Sequence, residues 1–356
     1  MFAAFAGGVS MSLGFLGLIL GAIFAGLVYV IIALIIRKVG VAWINKLMPP
    51  VIIGPIVAII GLSLAGNAIS DMTGYGFLGL LCALITLFTV IICSVYGNKT
   101  LKLIPFIVGI AAGYIVAAIL SLTGDLPVIN FDNFKNLSFF ALPQFTFWTA
   151  KDGLQELNWT YVLQIFFAYA PVAFVVFAEH LADHKNLSTI IGRDLTVEPG
   201  LDKTLLGDGI GSMMGAFFGG CPNTTYGESI GCVAITGNAS VITITAAALL
   251  AIIVSFIKPL MVLLDSIPAC VMGGVCMTLY GFIAVSGLKM LQPVDLNKNS
   301  NLFTASVILI AGVGGLSIKF ATGLGDITIT TVACALILGI ITNLIVKKEK
   351  KNGNNK

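Results

Sequence analysis

The stretch Gly219-Gly220-Cys221-Pro222-Asn223-Thr224-Thr225-Tyr226-Gly227-Glu228-Ser229-Ile230-Gly231 decides how this chain is read. Apolar segments flank it, yet it cannot continue either of them as a helix. Pro222 has no amide hydrogen to donate, and glycines stand close on both sides of it. Thr224, Thr225 and Tyr226 favour a short extended piece, after which Glu228 opens a short helix. Broken backbone at membrane depth is tolerated only where it is buried in protein or lines a cavity. The start of the short helix offers free N–H groups. One carboxylate acceptor beside several backbone donors complements a planar, amide-like ring. The alternative for Glu228 is an ordinary helix N-terminal acid favoured by the helix dipole.

Outward from this break the chain is a series of apolar segments. Of its 356 residues, 58% are hydrophobic and only 10% charged. Soluble domains carry about 25% charged residues, so composition excludes a soluble protein and predicts an all-α polytopic membrane protein. Spans are expected at 14–36, 49–66, 76–96, 101–122, 159–180, 205–220, 226–236 (short), 240–263, 268–290, 301–317 and 324–346, after a short apolar piece at 2–11. The stretch 123–158, rich in Phe, Trp and Asn, is expected at the interface. Alternating through these spans puts fifteen Lys and Arg on one side, including the tail Lys347–Lys356, and four (Lys135, Lys151, Lys258, Lys319) on the other. That bias predicts a cytoplasmic C-terminus. The net charge of +3 adds little.

The seven cysteines form no CxxC pair and no cluster with His, so they read as small packing residues; no disulfide, metal or other cofactor is expected. No phosphate-cradling loop, nucleophile triad or HExxH motif is present, which argues against an enzyme. No cleavable signal peptide is evident, because Met1 runs into Phe2 without a positive region.

Ionisable groups within lipid are expensive, so each is a functional candidate. Glu179 closes a long apolar segment in Phe174-Val175-Val176-Phe177-Ala178-Glu179-His180-Leu181-Ala182-Asp183-His184, which holds both histidines of the chain. On a helix Glu179 and Asp183 share a face. Desolvation could leave such a carboxylate protonated in transit. The alternative is a helix-end cluster in a wet loop. Asp208, Asp265 and Asp326 stand near expected span starts, where capping or dipole roles suffice.

An internal repeat is also visible. Pro49 and Gly54 open one span, and Pro268 and Gly273 open another at an offset of 219. Seven spans separate them, so the copies point in opposite directions, as in the inverted repeats of transporters. The offset predicts that roughly 60 residues, about two spans, are lacking before Met1. The opening piece then corresponds to a third span, with 226–236 as its counterpart.

Glu228-Ser229-Ile230-Gly231, followed by Thr236-Gly237, resembles the signature of the nucleobase–ascorbate transporter (xanthine/uracil permease) family. Pro222 to Glu228, Ala178-Glu179-His180, Arg193-Asp194-Leu195 and Glu198-Pro199-Gly200-Leu201 are similar to the bacterial uracil permeases within it. The resemblance implies fourteen spans in an inverted repeat of seven and seven, here lacking about the first two, with short strands at two broken spans. It implies a core (substrate) domain at 1–38 and 158–263, a gate domain at 39–157 and 264–346, and a basic cytoplasmic tail at 347–356. It implies that Glu179 and Glu228 accept hydrogen bonds from uracil, that the Gly227 backbone N–H donates to it, and that Tyr226 and Phe2 line the site. Glu179, His180, Asp183 and Glu228 are the implied proton-coupling residues. Two departures touch this site: Ser229 replaces the usual Asn, and Asp183 stands where some uracil permeases have His.

The expected function is proton-coupled import of uracil by alternating access in the plasma (inner) membrane. A truncated, non-transporting remnant and a xanthine (purine) carrier of the same fold are the alternatives. Expected partners are the nucleobase, protons and membrane lipid, not nucleic acid; a homodimer is left open.

Overall fold

The computed structural model describes residues 15–353 apart from 136, 143, 144, 156, 323 and 324. Phe2 and the opening apolar piece lie outside the described residues. The first half carries α1 (Phe15–Val39), α2 (Ala42–Leu47), α3 (Pro50–Thr73), α4 (Gly76–Tyr96), α5 (Lys99–Leu103), α6 (Pro105–Thr123) and the short α7 (Thr146–Thr149). Then follow α8 (Trp159–Ile191), α9 (Leu201–Phe217), α10 (Gly227–Thr236), α11 (Val241–Val254), α12 (Lys258–Asp265), α13 (Ala269–Lys289) and α14 (Asn299–Val313). Strands β1 (Ile318–Thr322) and β2 (Gly325–Ile329) precede the last helix, α15 (Thr331–Gly353). Among the described residues six helices are long and apolar enough to cross a membrane: α1, α3, α4, α6, α8 and α13. The chain is therefore a multi-pass membrane protein, as its composition predicts.

Local chemistry sets the helix ends. The Asn158 side chain accepts from the Tyr161 N–H at 3.0 Å and starts α8, and Gly192 in the left-handed region stops it. Pro105 opens α6, where a missing N–H costs nothing.

Three expectations need correction. The span expected at 240–263 is broken into α11 and α12. Phe140 pairs antiparallel with Ile257 across the break, with the Ala141 N–H donating to the Phe256 carbonyl and the Lys258 N–H to the Phe139 carbonyl, each at 3.1 Å. Pro259 supports the break because it cannot donate into a continuous helix. The span expected at 324–346 starts only at Thr331. The β-branched run before it pairs as an antiparallel hairpin, Ile318 opposite Ile329 and Lys319 opposite Thr328. Finally, α9 begins at Leu201 rather than near 205.

The described residues cluster in two compact units: those within Met1–Ile60, Gln144–Gly227 and Ala284–Lys356, and those within Gly61–Pro143 and Glu228–Ile283. In the first, α1 packs on α8 and α9. Its buried face is mostly small (Gly21, Ala22, Ala25, Gly26, Tyr29, Ile32, Ala33), whereas Leu27, Ile31, Leu34 and Ile35 are exposed. Small residues inside and large apolar ones outside is the arrangement that close packing within lipid favours. The crossing of α1 and α9 is set by two glycines. A Cβ on Gly26 would lie 2.6 Å from the Gly209 carbonyl oxygen, and one on Gly209 would lie 2.8 Å from that of Gly26. α3 and α13 approach as closely within the same unit: a Cβ on Gly54 would stand 2.9 Å from the Gly287 carbonyl oxygen.

In the second unit α4 packs on α6 around Cys82, Ala117, Leu126, Ile129, Cys270 and Val271. The Tyr114 and Ser266 hydroxyls share a hydrogen bond of 2.7 Å. There a Cβ on Gly273 would stand 3.0 Å from the Ala68 carbonyl oxygen.

Replacing Gly209 by Val forces backbone apart at the α1–α9 crossing. Overpacking of this kind costs about 1–3 kcal/mol. The expected outcome is a clear fall in the melting temperature of the detergent-purified protein. Gly207→Val in the same helix, where a Cβ meets nothing within 4 Å, should leave it within a degree or two of the parent.

Candidate functional site

The break between α9 and α10 adopts no regular secondary structure and is held at several points by hydrogen bonds. α9 ends where the Phe218 and Gly220 N–H groups donate to the Gly215 carbonyl at 3.0 and 2.9 Å. Gly219 takes φ +103, a conformation that suits glycine. The Thr146 hydroxyl, carried by α7, donates to the Ala216 carbonyl at 2.6 Å and lies 3.0 Å from that of Phe217, so a side chain from a separate segment serves this helix end. Phe145, Phe147 and Phe218 surround it with edge-on and stacked rings. Further on, the Asn223 N–H donates to the Ser212 hydroxyl at 2.7 Å.

The next two residues reach α8. Thr224 Oγ1 donates to Glu179 Oε2 at 3.0 Å, and Thr225 Oγ1 donates to Asp183 Oδ2 at 2.5 Å. Two successive side chains of the break thus meet two acids one helical turn apart. The shared face of Glu179 and Asp183 expected from their spacing is the face that holds the break. Both acids are buried, at 5% and 6% exposure, and so is His180 at 2%. Buried charge needs hydrogen-bonding partners of this kind.

Gly227 follows and opens α10. A Cβ there would lie 3.9 Å from Asp183 Oδ1, so Gly227 itself stands beside that carboxylate. Tyr226 is largely exposed. Glu228 is the second residue of α10, and its side chain lies outside the described residues, as does Phe2.

Behind the acids the cluster extends to a residue the sequence reading left aside. Asp208 was expected near a span start. Because α9 begins four residues earlier, Asp208 sits two turns inside it. Its Oδ2 accepts from His180 Nδ1 at 3.0 Å, with side-chain exposures of 2% for His180 and 12% for Asp208. His180 Nε2 lies 3.1 Å from the Thr204 hydroxyl, which also stands 3.2 Å from the Leu201 carbonyl. The His184 ring stacks on that of His180 at 4.2 Å, and its Nδ1 donates to the His180 carbonyl at 2.9 Å. The only available signal for Asp208 was an acid flanked by glycines, Gly207-Asp208-Gly209, which is also what a loop looks like.

The arrangement offers acceptors (two carboxylates), exchangeable hydroxyl donors and a helix start with free N–H groups. Replacing Thr225 by Val keeps the shape but removes the donor to Asp183. Hydrogen bonds to charged groups contribute about 1.5–3 kcal/mol, so a loss of thermal stability of that order is expected, with Thr225→Ser close to the parent.

The chain matches the model of the Permease family over residues 2–319. It is 41% identical to the uracil permease of Bacillus caldolyticus over 92% of this chain and 74% of that protein. It is 38% identical to that of Bacillus subtilis (strain 168), covering 93% and 76%. For that of Escherichia coli (strain K12) the values are 36%, 92% and 73%. The match takes in α8, the break and α10, the elements that carry the buried acids. A multi-pass helical chain with this break, matched along most of its length, belongs to the Permease family, whose members are transporters and not enzymes.

Proposed function

We propose that this chain imports uracil across the plasma (inner) membrane by proton symport, through alternating access. The observation that carries the reading is the pair of buried acids, Glu179 and Asp183, held against Thr224 and Thr225 just before the α10 N-terminus. Uracil presents ring N–H donors and carbonyl acceptors. Carboxylates match the former, and the free N–H groups at the start of α10 match the latter. Glu179 and Glu228 are the proposed acceptors, the Gly227 N–H the donor, and Tyr226 and Phe2 the ring contacts. Glu179, His180, Asp183 and Glu228 are the proposed proton-coupling set. The names of the relatives, uracil permeases at 36–41% identity, support the substrate.

The same reading assigns 1–38 and 158–263 to a core that carries substrate and 39–157 and 264–346 to a gate. An inverted repeat is supported by packing as well as by sequence. Gly54 approaches Gly287, and Gly273 approaches Ala68, each through a carbonyl oxygen. Gly54 and Gly273 are offset by 219, and so are Ala68 and Gly287. Exchanging the two copies therefore turns one contact into the other. The Lys and Arg bias supports a cytoplasmic C-terminus.

Reconstituted in liposomes, the protein should take up labelled uracil when the outside is acid, and a protonophore should abolish accumulation. Glu228→Ala should lower uptake at least tenfold. Uptake that ignores both the proton gradient and that substitution would sink the coupling and the site. Unlabelled uracil should compete far better than xanthine; the reverse order would assign a purine.

A further inference from the structure

Tyr29 is the one buried polar group of α1 that the proposed transport cycle leaves unused. Its side chain is 3% exposed, and its hydroxyl has no hydrogen-bond partner among the described residues. Buried hydroxyls rarely stay so, and ordered water commonly serves those that protein groups do not. The surroundings are polar. The Tyr29 ring meets that of His180 edge-on at 6.1 Å. Asp208 and Glu179 are the two acids within electrostatic reach of the hydroxyl. The position is fixed by the glycine crossing: a Cβ on Gly209, next to Asp208, would stand 3.1 Å from the Tyr29 Cβ. A small residue at 209 thus lets α1 bring a phenol to the His180–Asp208 pair.

We propose that Tyr29 is a positioning residue of the proton-coupling cluster: its hydroxyl donates through one bound water to Asp208 and tunes the proton shared by Asp208 and His180. The proposal rests on the proton-coupled reading above and extends it to a second acid and a phenol. A water there has the partners it needs, namely the Tyr29 hydroxyl and the carboxylates of Asp208 and Glu179. Only N–H and O–H bonds change: the proton moves between His180 Nδ1 and Asp208 Oδ2, and the phenol keeps its own. Other titratable groups stand on the same helix as His180 or on elements packed against it. Glu179, Asp183 and His184 stand on its own helix and Asp208 on α9. Glu198, in the turn Thr196–Gly200, is exposed and pairs with Arg193, and Asp326 and Cys334 belong to β2 and α15, which also pack on α8. Glu179 and Asp183 already take hydroxyl donors from the break. Asp208 accepts only from His180 among the described residues, so a further donor acts most directly there.

The test uses the full chain, purified in detergent without substrate, and reads melting temperature against pH. A donor to an ionised carboxylate favours the ionised form. Tyr29→Phe, which keeps the ring, should therefore move the acid limb of the profile to higher pH by about 0.5–1 unit. In an Asp208→Asn background the same substitution should add no shift. A Tyr29→Phe profile that superimposes on the parent overturns the proposal, and so does an equal shift in both backgrounds. Should Tyr29→Phe fail to give monodisperse protein, Asp208→Asn alone decides: loss of the acid limb supports the proposal, and retention of the parent limb overturns it. Because no substrate is present, this outcome is separate from the liposome result. A parent protein that ignores uracil would remove the substrate and leave the thermal profile standing.

Discussion

Thr224 and Thr225 each give a hydroxyl proton to a carboxylate of α8, and the rest of the site depends on these two bonds. An acid in an apolar span has to find donors, because lipid supplies none. A broken span has to anchor its freed backbone and side chains for the same reason. Each defect here answers the other. The acids are tolerable because the break brings hydroxyls, and the break holds its course because the acids receive them. Ser212 and Thr146 complete the anchoring at the α9 end. α10 follows directly from Gly227, which stands beside Asp183, and the first N–H groups of a helix have no partner within it.

Such bonds need helices at close range, and close range here comes from glycine. At Gly26 and Gly209 the two backbones meet with no room for a side chain. Neither position carries chemistry. Their effect is to set the distance from α1 to α9, and through it the company of Asp208. The large apolar residues of α1 point elsewhere and are exposed, as expected of a helix whose outer surface is solvated by lipid.

Hydropathy was enough to find the helices, because a spanning segment of about 20 apolar residues has no soluble look-alike. Glu179 and Asp183 were legible because their spacing fixes a shared face whatever the helix packs on. The misses have one cause: backbone pairing and helix starts are set by partners that a local pattern does not display. Residues 240–263 look continuous because nothing in them announces Phe139 and Ala141, more than a hundred residues away. The hairpin at Ile318–Ile329 interrupts an apolar stretch, and its β-branched residues (Ile318, Thr322, Ile327, Thr328, Ile329) are the local sign that it pairs as strands. Asp208 was misjudged by a single turn. Placed at a helix start it needs no further explanation; placed two turns in, it needs His180.

The proton count around His180 bears on the proposed coupling. The Thr204 hydroxyl has one proton and two candidate acceptors, the Leu201 carbonyl and His180 Nε2. If it serves the carbonyl, Nε2 must itself donate, and with Nδ1 donating to Asp208 the imidazole is a cation. If it serves Nε2, the imidazole is neutral. His184 cannot absorb the difference freely, because two stacked imidazolium rings 4.2 Å apart repel one another. The cluster therefore has two internally satisfied states that differ by one proton and one hydroxyl rotation, with every heavy atom in place. A carrier that takes up and releases a proton in each cycle needs such a pair of states, since a group locked in one protonation state by its partners has nothing to exchange.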